Sequence, residues 1–145
     1  MKSLVTRWPL LVIAGMLLSG CGQASVDVTP AEDPITITEI GDSDRHRLEL
    51  SDLAATRLGV ETAAISGGPG GALMIPYAAI LYDAAGATWT YVNSERLVYI
   101  REPIEVEAID GSLARLTSGP TTGTLVVTVG AAELWGAETG VGGGH

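Results

Sequence analysis

One stretch decides the fold: IEVEAIDGSLARL, from Ile104 to Leu116. Its first half alternates apolar and acidic residues, which predicts a strand with Ile104 inward and both glutamates outward. Asp110-Gly111 is typical of a tight hairpin turn, and Ser112–Leu116 has the composition of a return strand. The chain is therefore predicted to contain an antiparallel sheet.

Short apolar or alternating runs of the same kind lie on both sides of this hairpin. They predict strands at 35–40, 60–65, 78–83, 87–92, 97–100 and 125–129, with turns at 84–86 and 93–96. The chain has no Phe, so the core must rest on Val, Ile and Leu, which suit strands. The fold class expected is mainly β, a small antiparallel sandwich or barrel with one short helix.

The helix is predicted between Leu50 and Gly59. Ser51 can cap the helix start, and Asp52 favours the positive end of the helix dipole. Gly59 can adopt the left-handed conformation that ends a helix. One further helical turn is expected at 131–135, whereas the Gly- and Pro-rich run 66–71 is interpreted as a joint without regular structure.

Residues 1–20 have the pattern of a secretory signal peptide. Lys2 and Arg7 precede an apolar run that is too short to span a bilayer securely. The following Leu-Ser-Gly-Cys, which ends at Cys21, resembles the lipobox of bacterial lipoproteins. That resemblance implies lipidation of Cys21, with more than one chain for stable anchoring at the extracytoplasmic face of a membrane. An ordinary cleaved signal and an uncleaved anchor remain the alternatives.

The mature chain is expected to have three parts. Residues 21–34 form a lipid-anchored tether with nothing periodic to bury, 35–138 form the β domain, and 139–145 form a disordered tail. Removal of two basic residues with the signal leaves six against 17 acidic residues, a formal charge of −11. Because this surface would be repelled by nucleic acid, a nucleic-acid partner is excluded.

No residue pattern in the chain predicts catalysis, a cofactor or a metal. Histidine occurs only at His46 and His145, and Cys21 is the only cysteine. Asp42, Asp44 and His46 share a stretch that is interpreted as a loop rather than an ion site. The glycines at 67–71 lack the Lys-Ser/Thr of a phosphate loop. The expectation is a protein that is not an enzyme.

Three runs together resemble the periplasmic adaptor subunits, or membrane fusion proteins, of efflux transporters. The clearest is IPYAAILYDAAGATWTYV at 75–92, and the others lie at 48–62 and at 118–134, where Pro120 replaces the usual Leu. The resemblance implies a membrane-proximal β domain that docks on a membrane transporter. The lipoyl domain and helical hairpin of those adaptors have no counterpart, and 66–71 lies where they would be inserted.

The expected function is a lipid-anchored extracytoplasmic module associated with a transport or efflux system. Its expected partners are the membrane, through Cys21, and a membrane transporter or a full-length adaptor. The alternative is a stand-alone envelope lipoprotein that binds a small ligand or another protein. Exposed strand edges would favour docking, and a deep pocket would favour a ligand. Trp89, Tyr91 and Trp135 are candidates for either the contact surface or the core.

Overall fold

A computed structural model describes residues 33–140 as a mainly antiparallel sheet wound into a nearly closed barrel with two helices. The predicted signal peptide, Cys21 and nearly all of the tether lie outside these residues. The elements are β1 (Ile35–Glu39), β2 (His46–Leu50), α1 (Asp52–Leu58), β3 (Glu61–Ala64), β4 (Ser66–Gly67), β5 (Leu73–Pro76), β6 (Leu81–Tyr82), β7 (Thr88–Glu95), β8 (Val98–Asp110), β9 (Leu113–Ser118), β10 (Leu125–Val129) and α2 (Ala131–Glu138).

The barrel is built around the hairpin that the sequence predicts. β8 and β9 pair up to Asp110 and Leu113, so the turn itself is Gly111-Ser112, and the strand order runs β3-β10-β7-β8-β9-β5-β4. Because β3 and β4 are separated only by Ile65, the two ends of this order belong to one stretch of chain. Ile65 donates its N–H to Thr124 and accepts from the N–H of Gly123, which extends the pairing of β3 with β10 to the residue before β4.

Two apolar clusters lie on opposite faces of the sheet, and β10 contributes to both. Val126 points into the barrel with Ile65, Ile75, Ala79, Ile80, Ile104, Ala114 and Leu116. Its neighbour Val127 points outward, to a cluster that the helices cover and that contains Leu48, Leu50, Ala54, Tyr91, Tyr99, Ala131 and Leu134. Val126 and Val127 are both apolar because this part of β10 is buried on both faces.

A two-stranded ribbon extends the sheet beyond the barrel. β2 pairs with β8 through Arg47, Leu48 and Glu49, and β1 pairs with β2 over its whole length. Leu48 and Leu50 are buried in the helix-covered cluster, and Ile35 packs against it. This ribbon therefore widens the sheet surface on which the helices pack.

The first helix has the ends that its sequence predicts. The Ser51 side chain accepts from the N–H of Ala54, at the N-terminus of α1. Gly59 ends the helix at φ 61°, and its N–H bonds to the carbonyls of Ala55 and Thr56. The second helix is longer than the single turn predicted, because it continues to Glu138. Thr139 and Gly140 form the turn that ends α2, so the described chain is still regular at the start of the predicted tail.

Several boundaries differ from those predicted. β2 has no counterpart in the prediction, and Ser66–Gly67 pairs with β5 inside the supposed joint, followed by a 3-10 turn at Pro69–Gly71. Within 78–83, Ala78 and Ala79 belong to a 3-10 turn (Tyr77–Ala79), and only Leu81–Tyr82 is a strand.

The predicted turn at 93–96 is also mostly strand, since β7 continues to Glu95. β8 runs through Pro103, where the prediction placed a break. Along one edge, β8 pairs with β2 up to Ile100 and with β9 from Glu105. Pro103 therefore lies between two partners, where its missing N–H breaks no ladder bond.

Candidate functional site

A cluster of charged and aromatic side chains is buried between the sheet and α2. Its centre is Glu138, in the last turn of the helix, whose side chain is 2 % exposed. The carboxylate accepts hydrogen bonds from the Tyr91 hydroxyl on β7 and from Arg101 Nε on β8, the latter at 3.2 Å. His46 Nδ1, on β2, lies 3.2 Å from the same carboxylate. Three strands of the sheet are thus linked to one residue of α2.

The Arg101 guanidinium is held between two indole rings. Its central carbon lies 4.3 Å from the Trp89 ring centroid and 4.9 Å from that of Trp135. One terminal nitrogen donates to the Asp44 carbonyl at 2.9 Å, and the Asp44 carboxylate lies 3.6 Å away. A planar guanidinium can stack and donate in its own plane at the same time, which an ammonium cannot do.

The contacts within this cluster are of the kind that stabilise the packing of α2 on the sheet. Its charges face each other, and burial together with the Glu138 carboxylate raises the pKa of Tyr91 above its ordinary value, so the phenol stays protonated as a donor. The Trp89 indole N–H is also engaged, donating to Asp83 Oδ2 at 3.0 Å. The polar groups of the cluster are used to fasten α2 to the sheet.

The three aromatic residues that the sequence analysis named as candidates, Trp89, Tyr91 and Trp135, differ in their burial. Tyr91 is fully buried in the helix-covered cluster, so it is a core residue. Trp89 and Trp135 are partly buried and form the two walls around Arg101. Arg101 and Glu138 themselves were not singled out from the sequence. The available signal was that Arg101 directly follows the apolar residues Val98-Tyr99-Ile100 of β8 and alternates with Tyr99, so that a charge there needs a partner if that face is buried.

The side chains of Asp42, Asp44 and His46 do not converge as ligands of one ion. His46 turns to Glu138, whereas Asp44 lies beside Arg101. Between Asp33 and Gly140, no three His, Cys, Asp or Glu side chains are arranged to hold a metal ion.

An open cavity of about 380 Å³ lies beside Pro103, where β8 changes partner. Glu102, which pairs with Arg45 at 2.7 Å, lies at one side of it. The other residues that line the cavity include three with hydroxyl groups. They are Val92, Ser118, Gly119, Pro120, Thr121 and Thr124. A Cβ atom on Gly119 would stand 3.0 Å from Leu116 and 3.2 Å from Ile104, so the floor here is already in contact with the barrel core.

The third place of interest is the outer edge of β1. Ser51 donates to Pro34 and Ile40 to Arg45, which fixes the even-numbered residues of β1 as the ones that face β2. The backbone groups of Ile35, Ile37 and Glu39 therefore face away from β2. Among residues 33–140, no strand pairs with this side of β1.

The side chains along this edge combine exposed apolar surface with acid groups. Ile37 is 42 % exposed although it lies opposite the buried Leu48. Asp33 and Glu39, at the two ends, form no ion pair in the described part of the chain, and neither does Asp42 in the following loop. The sequence predicted this strand, but an unpaired side is a property of the sheet order and was not visible in it.

No helix within residues 33–140 is long and apolar enough to cross a membrane. No family model matches the chain, and neither does any curated protein or solved structure.

Proposed function

We propose that this chain is a lipid-anchored, non-enzymatic module of the cell envelope that associates with a membrane transport or efflux system. It acts on the extracytoplasmic side, tethered through Cys21, and its partner is a membrane transporter or a full-length adaptor. The proposal joins the lipobox pattern, the three runs that resemble membrane fusion proteins, and the small barrel expected of a membrane-proximal domain.

The observation that carries the docking part is the unpaired edge of β1. An exposed edge presents backbone donors and acceptors in a row, which makes it a template for another chain. Ile37 adds apolar surface at the same place. Docking is therefore favoured over ligand capture, which a deep pocket would have supported.

The length of the predicted tether sets an upper limit on the distance between this edge and the anchor. Residues 22–32 separate Cys21 from Asp33, a length that spans at most about 40 Å when fully extended. Since β1 starts at Ile35, it is the first element of the domain reached from the membrane side. A partner embedded in the same membrane would meet β1 within that distance.

The second candidate is a stand-alone lipoprotein that binds a small ligand, and the cavity beside Pro103 favours it. A volume of about 380 Å³ lies within the usual range for ligand sites. Its hydroxyls and the Glu102 carboxylate would suit a polar ligand, but its open shape would bury little of one.

The test is recovery of the partner from membranes. Cells that express the tagged full chain are crosslinked and solubilised in mild detergent, and the captured proteins are identified by mass spectrometry. A transporter or adaptor enriched over a tagged lipoprotein of unrelated fold supports the proposal. Capture of neither one overturns it.

The anchor is tested separately with Cys21→Ser. The unchanged chain should incorporate a radiolabelled fatty acid and sediment with membranes, because two or more acyl chains bind a bilayer stably. The variant should carry no label. An equally labelled variant would contradict lipidation at Cys21.

A further inference from the structure

We propose that the outer edge of β1 binds an extended segment of a partner protein as an added strand, with basic residues at both ends of that segment. This specifies the recognition mode of the docking function proposed above and rests on it. The edge, as used below, means the outward backbone groups of Ile35, Ile37 and Glu39 with the side chains beside them.

The backbone geometry fixes what the edge can bind. Three residues each offer an N–H and a C=O, spaced two residues apart, which is the pattern a further antiparallel or parallel strand would satisfy. A helix does not match this spacing. The required occupant is therefore an extended backbone.

The side chains fix the pattern of that occupant. Ile35, Ile37 and Glu39 share one face of the ribbon, and Asp33 lies two residues before Ile35, just outside the strand, so an acid flanks the two isoleucines on each side. Directly opposite residues of an added strand share this face. The complementary segment has basic residues at its ends and apolar residues opposite Ile35 and Ile37, which reads Lys-Xaa-Val-Xaa-Val-Xaa-Lys.

A second copy of the chain lacks this pattern. Pairing β1 with its own copy about Ile37 places Glu39 of each copy opposite Ile35 of the other. A shift that joins Ile35 to Ile37 places Glu39 opposite Asp33, two like charges in direct register. The net charge of the mature chain, formally −11, adds long-range repulsion. The partner must therefore supply the positive charge.

The probe is the labelled peptide Lys-Thr-Val-Thr-Val-Thr-Lys, added to the lipoprotein purified in detergent and followed by fluorescence anisotropy. Its matched control is Val-Thr-Lys-Thr-Lys-Thr-Val, which has the same composition and the opposite arrangement. We expect saturable binding of the first peptide, weakened by added salt, and at least tenfold weaker binding of the control. Equal binding of the two peptides overturns the proposal.

The backbone contribution is tested with Ile37→Pro. Because the N–H of Ile37 points outward, this change removes an edge donor and leaves the bonds between β1 and β2 intact. Binding should fall at least tenfold, with the thermal unfolding temperature nearly unchanged. Thr36→Pro is the contrasting variant, since it removes an N–H that faces Glu49 and should loosen the ribbon itself. Undiminished binding by a folded Ile37→Pro protein overturns the proposal.

A charge exchange keeps the proposal falsifiable if the proline variant does not fold. The double variant Asp33→Lys with Glu39→Lys should no longer bind the lysine-ended peptide and should instead bind the peptide Glu-Thr-Val-Thr-Val-Thr-Glu. Failure to exchange partners overturns the proposed charge pattern. Because none of these assays contains a transporter, a negative result here leaves the transport association standing, and the reverse also holds.

Two other occupants of the edge have their own outcomes. A dimer in sedimentation that Ile37→Pro abolishes would assign the edge to a second copy. Binding that tightens after deletion of residues 23–31 would assign it to the preceding residues of the same chain. Either result overturns the proposal, whereas a monomer with unchanged binding after the deletion supports it.

Discussion

Arg101 on β8 and Glu138 on α2 form an ion pair that is almost fully removed from solvent. Arg101 Nε donates to Glu138 Oε1 at 3.2 Å, and the two side chains are 8 % and 2 % exposed. Such a pair is not itself a large source of stability, because desolvating two charges offsets most of their attraction. Loss of Glu138, however, leaves the buried Arg101 with only the exposed Asp44 carboxylate, 3.6 Å away, as a counter-charge.

Glu138→Gln should therefore destabilise the domain strongly. The amide keeps the shape of the side chain but removes the charge that faces Arg101, at an expected cost of about 3 kcal/mol in the free energy of unfolding. Urea denaturation measures this value. Glu133→Gln on the exposed side of the same helix is the control, with a change below about 0.5 kcal/mol. Equal losses in the two variants would contradict the special position of Glu138.

Tyr91→Phe should change both the stability and its dependence on alkaline pH. Burial, and then the Glu138 carboxylate, raise the pKa of Tyr91 in the folded protein. The unfolded chain releases this proton near its ordinary pKa of about 10. The contribution of Tyr91 is therefore complete below about pH 10 and declines as the pH rises further.

Removal of the hydroxyl should cost about 1–2 kcal/mol at pH 7, since Glu138 loses a donor. The variant should also decline less steeply above pH 10 in a series of denaturant titrations. Tyr77→Phe leaves Tyr91 in place and should retain the steeper decline. A Tyr91→Phe protein with the full alkaline decline would contradict the assignment.

Asp83 should stabilise the turn before β7 in a manner that acid removes. Its carboxylate accepts from the Trp89 indole at 3.0 Å and from the N–H groups of Ala85 and Ala87 at 2.9 and 2.8 Å. The bond from Trp89, together with the backbone bonds, lowers the pKa of Asp83. A lowered folded pKa gives stability that is present above the unfolded value, about 3.9, and is lost as the pH falls below it.

Asp83→Asn should therefore unfold at a lower temperature than the unchanged chain at pH 7, and the difference should shrink below pH 4. Thermal unfolding across a pH series measures both. Asp110→Asn is the control, because Asp110 is an exposed residue at the end of β8 and its side chain has no hydrogen bond in the described part of the chain. If the difference in unfolding temperature between Asp83→Asn and the unchanged chain stays constant down to pH 2, the carboxylate contacts are not the source of the stability.

Ser51→Ala should weaken the start of α1. The hydroxyl accepts from the Ala54 N–H at 3.2 Å, and loss of such a cap costs about 1 kcal/mol. Chemical denaturation compares it with Ser112→Ala in the β8–β9 turn, where the contacts of the backbone are retained. An unchanged free energy of unfolding in Ser51→Ala would show that tertiary packing alone holds the helix.

The fold class and the central hairpin were predictable because their signals are local. Alternation predicted the second half of β8, Asp110-Gly111 predicted a hairpin at its end, and Ser51 and Gly59 predicted the two ends of α1. The return strand, β9, directly follows the turn and is six residues long. In such segments the sequence pattern and the tertiary structure agree, so no long-range information is needed.

β2 was missed because its pattern is short and charged. His46-Arg47-Leu48-Glu49-Leu50 alternates, but only two of its residues are apolar, and it follows a loop rich in Asp and Ser. Its strand conformation depends on pairing with β8, fifty residues later. The extension of β7 to Glu95 was missed for the same reason. Residues 93–96 have a turn-like composition, but pairing with β8 makes most of them strand.

The candidate site was predictable only in part. The aromatic residues could be selected by type, and Tyr91 was weighed as core, which its burial confirms. The pairing of Arg101 with Glu138 joins residues 37 positions apart, and His46 lies 92 positions from the same carboxylate. The unpaired side of β1 is equally non-local, because it depends on where every other strand lies.

The position of Glu138 has a consequence for the order of folding. Its partners lie on β2, β7 and β8, so the contact forms only after these strands have come together, and long-range contacts of this kind form slowly. Until then Arg101 has no buried counter-charge and the outer apolar face of the sheet is uncovered. Docking of α2 is therefore expected to be a late step, and chains interrupted before residue 138 should be cleaved by proteases more readily than the full chain.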